Sequence, residues 1–540
     1  MKNTKLVWTI LILCVTFNVA QAQNVWKHSY SLPYGSFCQY VAEAYDGGYV
    51  FGGYIRKSAN SPFNGYIVKS DINGTKLWSK ILDTGNDTYF LSFNRTLDNG
   101  FIAGGSYFNG ISNDAYVMKF NVCGEPEWCC ILPETDGDNS EIFGGIYQLP
   151  DSSYICKRYK IVGDQHNRHS LIKLHANGNV DWINYYDLNT SWMAQIDWRL
   201  ILLSDTCFLV NGLVSDTIRP DGALSDMPLW YKVDKEGNLL WETKWELDET
   251  HTPSEARSTI EDQHGNYYSG GFISPWKNSV IFKLGHNGDT LSRVIFDDTI
   301  PGFLAGQINH MNYYNDTTLI VGSQFAAVVP SSNFWAINIV DTLGHRKNRH
   351  FEEERFVNVN SIVTSDNKIL LLGQRLTDNG TFPYEWFSLY KFNMNLEYDS
   401  IYSALRTYDS LCPHPIASDT IPMPGICQYV NVPDPVPTGD VLQLKIYPNP
   451  ATQYTTVEMP EYSLTATKGN IVKQQQFRPL KGEVQLSLMN LAGQIVKMDY
   501  FDASERNHIV NVSKLPAGMY VLHLTQKGKF IAQGKVMVMK

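Results

Sequence analysis

One short segment of the chain places several oxygen ligands close together. In the sequence ETDGDNSE, the carboxylates of Asp136, Asp138 and Glu141 lie near the hydroxyl of Ser140. Calcium prefers carboxylate and other oxygen ligands, so this segment is a candidate calcium site. Its spacing differs from that of an EF-hand, and the alternative interpretation is a solvated acidic loop. No other metal or cofactor is predicted.

Motifs of known catalytic chemistry are missing from the sequence. It contains no nucleophile elbow, HExxH pair, phosphate-binding loop or dinucleotide fingerprint. The cysteine and histidine spacings match no zinc site. Enzymes built on repeated folds assemble their sites from residues far apart in sequence, so an enzyme stays open. The pattern nevertheless favours a binding protein, and no catalytic residue is predicted.

Tryptophans outside the repeated pattern are the second set of candidate ligand-binding residues. Aromatic side chains suit sugar rings and peptide side chains. The alternative is that these side chains fill gaps between repeated units. They are Trp192, Trp198, Trp230, Trp276, Trp335 and Trp386.

A repeat of about fifty residues must position any such site. Each copy contains two hairpin signals, the first at Asp-Gly-Gly or Asp-Asn-Gly between apolar runs. The second is a Lys-x-Asp-x-x-Gly-x-x-x-Trp pattern, seen at Lys69, Asp71, Gly74 and Trp78. Full or partial copies of this second pattern begin at Lys119, Lys173, Lys232, Lys283 and Lys391.

The repeats predict an all-β fold, a seven-bladed β-propeller with four-stranded blades over residues 23–405. Radial closure of such blades leaves few exposed strand edges. The units are residues 40–82, 90–132, 142–187, 198–246, 257–296, 307–351 and 358–402. An open β-solenoid is the rival architecture. Residues 24–30 resemble the fourth strand of a unit, and one interpretation is that they complete the last blade and displace the strand at 396–402.

Eight of the nine cysteines lie beyond the N-terminal segment, in a protein that we expect to be exported. Cys412 and Cys427 bracket a Pro-rich segment and could close one loop as a disulfide. Cys123 could pair with Cys129 or Cys130 within one hairpin. Two further cysteines lie in apolar strand contexts, where a buried free thiol is at least as plausible. They are Cys156 and Cys207.

The composition changes after the repeats. Residues 406–440 are rich in Pro, Asp, Ser and Thr without periodicity, which predicts a linker. A new β-rich domain is predicted over residues 441–540, with apolar alternation at Val484, Leu486 and Leu488. Three blocks mark it: LKIYPNPATQYTTVEM, EVQLSLMNLAGQIVK and LPAGMYVLHLTQKGKFIAQGKVMVMK.

These blocks resemble the type A sorting domain of Bacteroidetes type IX secretion cargo, and the repeats resemble those of secreted β-propeller proteins. The resemblance implies a small immunoglobulin-like β-sandwich that the translocon reads and a sortase then removes. It further implies release of the body or its attachment to surface lipopolysaccharide. The motif residues are Tyr447, Pro448, Asn449, Pro450, Gly493, Gly518, Tyr520, Lys535 and Lys540.

The N-terminus has the form of a secretory signal peptide. Lys2 and Lys5 precede an apolar run, and the small-residue site Ala20-Gln21-Ala22 predicts cleavage after residue 22. Removal of two lysines from 44 basic residues leaves 42 against 54 acidic ones, which argues against a nucleic-acid partner. No transmembrane anchor is predicted. We therefore expect a cell-surface or secreted protein that binds a glycan, peptide or protein; the alternative is a hydrolase or lyase at the propeller channel.

Overall fold

The computed structural model describes most of the chain after the N-terminal segment. The described residues are 26–31, 36–133, 139–162, 166–186, 195–218, 224–245, 254–273, 278–296, 300, 306–326, 333–352, 356–375, 386–422, 427–430, 442–458, 461–464, 476–479, 483–490, 495–502, 504–526 and 529–540. All the regular secondary-structure elements in these residues are β-strands, which confirms the predicted all-β class. None of them forms a helix that is long and apolar enough to cross a membrane. Two compact units are present, Met1–Val432 and Pro433–Lys540.

The first unit contains the repeats. Its strands are short because apolar runs alternate with tight turns. In chain order they are β1 (Lys27–Ser31), β2 (Ser36–Glu43), β3 (Tyr49–Arg56), β4 (Phe63–Ser70), β5 (Lys76–Asp83), β6 (Thr88–Arg95), β7 (Phe101–Phe108), β8 (Asn113–Phe120), β9 (Pro126–Leu132), β10 (Asn139–Gln148), β11 (Tyr154–Val162), β12 (His166–Leu174), β13 (Val180–Tyr185), β14 (Gln195–Leu202), β15 (Phe208–Ile218), β16 (Leu224–Val233), β17 (Leu239–Lys244), β18 (Ser254–Glu261), β19 (Tyr267–Ile273), β20 (Asn278–Leu284), β21 (Thr290–Phe296), β22 (Gln307–Asn315), β23 (Thr318–Ala326), β24 (Asn333–Asp341), β25 (Arg346–Glu352), β26 (Phe356–Val363), β27 (Ile369–Arg375), β28 (Trp386–Phe392), β29 (Asp419–Pro422) and β30 (Cys427–Tyr429).

Consecutive strands form antiparallel four-stranded sheets, one for each repeat. We number the sheets in chain order. They are sheet 1 (β2–β5), sheet 2 (β6–β9), sheet 3 (β10–β13), sheet 4 (β14–β17), sheet 5 (β18–β21), sheet 6 (β22–β25) and sheet 7 (β26–β28 with β1).

The N-terminal strand β1 completes sheet 7 as its fourth strand. Lys27 pairs with Tyr390 of β28, and the amide of Lys391 donates to the carbonyl of Trp26 at 3.2 Å. Trp26 thereby occupies the position that Trp78 holds opposite Lys69 in sheet 1. This confirms the interpretation that a segment after the predicted cleavage site completes the last repeat.

Neighbouring sheets pack along their first strands. Strand β2 contacts β6, β6 contacts β10, and the series continues through β14, β18, β22 and β26. The last of these, β26, contacts β2, so the contacts form a closed circuit. The interior between sheets is apolar, with completely buried residues such as Val117, Leu229 and Ile337.

The repeated tryptophan packs on the repeated glycine of the next sheet. Gly124 has a φ of +76°, and a Cβ atom there would lie 2.7 Å from the ring of Trp78. Gly178 has the same relation to Trp128. Only glycine gives both the left-handed turn and this close approach. The Gly and Trp of the sequence pattern are therefore one contact between successive sheets.

The chain after β28 agrees with one prediction and corrects another. Residues 396–402 form no fourth strand, because β1 occupies that place in the sheet, as the interpretation of residues 24–30 predicts. The predicted linker at 406–440 is corrected, since β29 pairs in parallel with β5 and β30 pairs in parallel with β9. We call the described residues 393–422 and 427–430 the strap, because they run from sheet 7 across the edges of sheets 1 and 2.

The predicted disulfides are corrected as well. Cys412 is bonded to Cys123 and Cys427 to Cys129, so neither the Cys412–Cys427 loop nor a bond within the Cys123 hairpin forms. The physical reason is the strap, which lays each of its cysteines beside a cysteine of sheet 2. Among the described residues the free cysteines are Cys38, Cys130, Cys156 and Cys207, all but the last buried.

The second unit consists of two sheets around their own core and a separate hairpin. The five-stranded sheet has the order β31-β40-β39-β36-β37, and the other sheet has the order β32-β33-β38. Leu486, Leu522, Val457 and Val510 lie fully buried in the core of this unit. The strands are β31 (Leu442–Gln443), β32 (Lys445–Tyr447), β33 (Tyr454–Glu458), β34 (Glu461–Leu464), β35 (Gln476–Pro479), β36 (Glu483–Met489), β37 (Ile495–Asp502), β38 (Asn507–Asn511), β39 (Gly518–Gln526) and β40 (Lys529–Val538).

Candidate functional site

The two ends of the repeat sheets differ in character. At one end, the turn end, the first and second strands and the third and fourth strands are joined by tight hairpins. At the other, the loop end, the connections vary from three residues between β11 and β12 to ten between β27 and β28. Ligand sites are generally built from variable loops on a rigid scaffold. The loop end is therefore where a site is expected.

Buried ion pairs occupy the turn end. Lys119 is 1% exposed and its ammonium lies 2.7 Å from Asp98 and 2.8 Å from Glu127. Burial opposes ionisation of Asp98, but hydrogen bonds from Lys119 and Thr96 lower its pKa. A buried lysine must be paired in this way to be tolerated. The equivalent pairs in other sheets are Lys69–Asp46, Lys173–Asp151, Lys232–Asp205 and Lys391–Asp366.

A β-bulge interrupts the first strand of each sheet toward the loop end. In sheets 1, 2 and 5 the bulge brings a carbonyl oxygen against a glycine of the second strand. A Cβ atom at Gly53 would overlap the carbonyl oxygen of Phe37, and one at Gly105 would overlap that of Tyr89. This explains the second glycine of the repeated Gly-Gly pair. Bulges redirect side chains, and they are common near functional sites.

Sheet 3 departs from this arrangement. Lys157 and Arg158 replace the glycine pair, and the bulge in β10 extends from Ile142 to Ile146. Both cationic side chains are buried, with Arg158 donating to the hydroxyl of Tyr185 at 3.0 Å. Sheet 3 therefore has two buried cations where sheets 1, 2 and 5 have glycines.

An aromatic cluster lies at the loop end of sheets 1 to 3, next to this departure. The rings of Phe37 and Tyr54 stack with centroids 5.0 Å apart, and Tyr54 meets Tyr89 edge-on at 4.8 Å. Tyr54, Phe63 and Leu91 are at most 9% exposed, whereas Phe37, Tyr89 and Phe143 are partly exposed. We call these six residues the aromatic cluster. Partly exposed rings on a rigid base are suited to packing against a ligand.

Charged groups border the aromatic cluster. The guanidinium of Arg56 lies 3.9 Å from the ring centroid of Phe63, and Lys157 lies 5.2 Å from that of Phe143. Burial raises the pKa of Tyr89 to about 12, with Asp87 acting in the same direction and Arg56 opposing it. Cations, carboxylates and phenol groups therefore surround an apolar surface. Such a border can orient a polar ligand by hydrogen bonds.

Glu141 links the border to the predicted calcium segment. Burial raises the pKa of its carboxyl group, while the charge of Lys157 opposes that shift. Asp136 and Asp138 lie outside the described residues, so the calcium site stays a prediction. The described residues contain no group of three or more His, Cys, Asp or Glu residues able to hold a metal ion.

Aromatic and cationic side chains also meet across the space that the sheets enclose. The guanidinium of Arg199 on β14 lies 5.7 Å from the ring centroid of Tyr40 on β2, although sheets 1 and 4 are not neighbours. Tyr147 on β10 donates to the carbonyl of Leu200 at 3.1 Å, and burial raises its pKa to about 12. Side chains therefore bridge the centre at this level.

The structure describes the side chains of three of the six predicted tryptophans, and two of these three lie in the interior. Trp230 and Trp335 are completely buried between sheets, which supports the interpretation that they fill gaps. Trp386 begins β28 and is partly exposed. Trp192, Trp276 and the side chain of Trp198 lie outside the described residues. Sequence reasoning missed the aromatic cluster, because its Phe and Tyr residues are scattered over five strands.

Several predicted sorting-motif residues come together in the second unit. The side-chain amide of Asn449 donates to the carbonyl of Lys535 at 2.8 Å and accepts from the amide of Met537 at 2.9 Å. Tyr520 is buried and donates to the carbonyl of Pro516 at 2.8 Å. The remaining motif residues are Tyr447, Pro448 and Pro450 before β33, Gly518 at the start of β39 and Lys540 at the terminus; Gly493 lies outside the described residues.

Comparisons with solved structures give distant similarities. Polysaccharide lyase Uly1 is 8% identical over 68% of this chain and 91% of that chain, with a TM-score of 0.43. A protein of unknown function from Dyadobacter fermentans DSM 18053 is 10% identical over 68% and 97%, with a TM-score of 0.39. A thermostable family-43 glycoside hydrolase is 12% identical over 59% and 96%, with a TM-score of 0.31. Similarities at this level carry no conclusion about activity.

The sequence comparison of the second unit is specific. No curated protein matches the sequence of the chain. Residues 445–539, however, match the family described as the secretion system C-terminal sorting domain, which confirms the predicted resemblance. The chain therefore interacts with the type IX secretion machinery. It ends in a type IX secretion C-terminal sorting domain, and it is exported by that system to the cell surface or the extracellular space.

Proposed function

We propose that the first unit is a closed seven-bladed β-propeller and the second an immunoglobulin-like β-sandwich. The circuit of contacts from β2 through β26 and back to β2 supports closure. So does β1, which supplies the fourth strand of sheet 7 from the other end of the repeats. In this architecture the enclosed space bridged by Arg199 and Tyr40 is the central channel.

The proposed function of the propeller is binding of a glycan, peptide or protein ligand at the cell surface. The observation that supports it is the aromatic cluster, whose partly exposed rings Phe37, Tyr89 and Phe143 lie beside charged groups at the loop end. Burying such rings against a ligand contributes roughly 25 cal/mol per Å² of apolar surface removed from water. The charged border then sets specificity.

The test is a glycan and peptide array probed with recombinant residues 23–440, with and without calcium. Tyr89→Ala should weaken a selective hit at least tenfold, since it removes a ring from the cluster. Tyr313→Ala is the matched control, because Tyr313 is also a partly exposed tyrosine on a first strand but lies at the turn end. Equal losses in both variants, or binding unaffected by Tyr89→Ala, would contradict this site.

A hydrolase or lyase acting on polysaccharide or peptide is the second candidate. It is favoured by Glu141, a carboxyl group near Lys157 at the border of the aromatic cluster, whose pKa is raised by burial. If Glu141 is the general acid, Glu141→Gln should abolish turnover of an array-identified ligand and leave its binding unchanged. Binding without turnover by the unmodified protein would favour the recognition module.

The finer steps of export are also proposed. A signal peptide cleaved after Ala22 would carry the chain across the inner membrane, and these residues lie outside the described part of the structure. A sortase would then remove the sorting domain and attach the body to lipopolysaccharide or release it. Deletion of residues 441–540 should abolish surface display and leave the propeller folded, because that deletion spares the strap. Surface signal persisting in the deletion strain would contradict the proposal.

A further inference from the structure

The strap connects the point where the repeats close to the point where the sorting domain begins. It follows directly after β28, which is held on one side by β27 and on the other by β1. The pairing of β28 with β1 spans five residues on each strand and includes no covalent bond. A force pulling on the chain at residue 393 would act directly on this closure.

Carboxylates of the strap neutralise buried lysines of the repeats. Asp409 lies 3.0 Å from the ammonium of Lys69, and Asp419 lies 2.9 Å from that of Lys80. Both lysines are at most 1% exposed. In sheet 2 the second carboxylate beside the buried Lys119 comes instead from Glu127, on the fourth strand of the same sheet. Beside Lys69, the strap therefore supplies the second carboxylate that the repeat itself supplies in sheet 2.

Further hydrogen bonds hold the strap to sheet 1. The side-chain amide of Asn73 donates to the carbonyl of Tyr402 and its oxygen accepts from the amide of Tyr402, both at 2.8 Å. The indole of Trp78 donates to Asp409 at 3.1 Å. These contacts involve the same Trp78 that packs on Gly124 of sheet 2. The strap is thus attached where successive sheets join.

Two covalent bonds attach the strap to sheet 2. Cys412 is bonded to Cys123, and Cys427 to Cys129 on β9. Cys427 lies five positions before Val432, where the first unit ends. Tension applied at the sorting domain therefore enters the first unit through the Cys427–Cys129 bond. The segment between β28 and Cys427 then carries no load. The closure between β28 and β1 lies beyond that bond.

We propose that the strap is a disulfide-fastened load path that keeps tension from the sorting domain away from the closure of the repeats. Because the secretion machinery acts on the C-terminal domain, any pulling force during export or surface attachment arrives at this end. The bonds join residues 289 and 298 positions apart in sequence, and the strap lies across sheet 2 where it places each pair side by side. A thiol–disulfide oxidant must accept the two electrons and two protons released for each bond.

Magnetic tweezers test this directly on residues 23–540. One handle is placed at the C-terminus and the other on a click-reactive residue that replaces Lys235, in an exposed turn of sheet 4. Release of residues 386–430 would lengthen the tether by about 150 Å, at some 3.3–3.6 Å per residue. We expect that step at low force in the variant in which Cys123, Cys129, Cys412 and Cys427 are all replaced by serine, because the Cys123–Cys412 bond alone would still shield residues 386–411. Unfolding of the sorting domain adds its own step. We expect the release step to be absent from the oxidised wild type.

Reduction of the tethered wild-type protein with dithiothreitol repeats the comparison without relying on the variant to fold. Cys207→Ser is the control, because Cys207 is a free cysteine and both disulfides remain. It should behave like the wild type. A step of the same size and force in oxidised and reduced protein would overturn the proposal. Absence of the step from both forms would also overturn it, because the noncovalent contacts would then hold the strap without the disulfides.

Discussion

The contact between the repeated tryptophan and the repeated glycine can be measured by adding one methyl group. Gly124→Ala places a Cβ atom 2.7 Å from the ring of Trp78 and requires alanine to adopt a φ of +76°. The left-handed backbone costs about 1–2 kcal/mol, and the smaller entropy of unfolded alanine returns about 0.4–1 kcal/mol. Overpacking against the buried ring adds about 1–3 kcal/mol. The expected loss in the free energy of unfolding is therefore about 1–5 kcal/mol, centred near 3 kcal/mol.

Gly85→Ala is the matched control for this experiment. Gly85 has nearly the same φ, +78°, but a Cβ atom there has no neighbour within 4 Å. Only the backbone effect remains, so the expected loss is about 1 kcal/mol. Guanidinium denaturation of residues 23–440, followed by tryptophan fluorescence, gives both values. Equal losses in the two variants would refute the contact between Trp78 and Gly124. In a Trp78→Ala background, the two substitutions should lower the free energy of unfolding by the same amount.

Three further predictions concern acid stability, closure and the bulge. Burial opposes ionisation of Asp366, but hydrogen bonds, first that from Lys391, lower its pKa to about 2; this stabilisation is present above about pH 4 and is lost as the pH falls toward 2. Asp366→Asn should make the urea midpoint of unfolding less dependent on pH over that range. A pH dependence equal to that of the wild type would contradict the pairing of Asp366 with Lys391. Deletion of residues 23–31 should expose the edge of β28 and lower the unfolding midpoint, whereas an unchanged midpoint would show that closure adds no stability. Gly105→Ala should prevent soluble expression, because its Cβ atom would overlap the carbonyl oxygen of Tyr89; a normally folded variant would show that the bulge can relax.

Local turn chemistry explains why so much of the fold could be predicted from the sequence. Each Asp-Gly-Gly or Asp-x-x-Gly segment determines its own hairpin through contacts only a few residues apart. Even the placement of β1 was accessible, because Trp26 repeats the pattern around Trp78. The pairing of five repeat lysines with the aspartate of the first hairpin was missed. Its signal was present, since a lysine recurs in an apolar strand in most units, where an unpaired charge would not be tolerated.

The strap and the aromatic cluster could not be predicted in the same way. The partner of Cys427 is 298 residues away, and nothing near either cysteine in the sequence specifies that pairing. Pro-rich composition predicts a linker because it lacks periodicity, yet two short parallel strands need only an open edge to pair with. The rings of Phe37 and Phe143 are brought together solely by the packing of sheets 1 to 3.

The ion pairs at the turn end are consistent with the ligand site that we propose at the loop end. At the turn end, five repeat lysines are paired with carboxylates, and the strap supplies the carboxylate Asp409 beside Lys69. A ligand binding at that end would have to compete with buried ion pairs, at the cost of leaving a charge unpaired. At the loop end, by contrast, sheet 3 exchanges its glycine pair for Lys157 and Arg158, and partly exposed rings remain beside them. Under the proposed function, substitutions at the loop end would change recognition without loss of the ion pairs at the turn end.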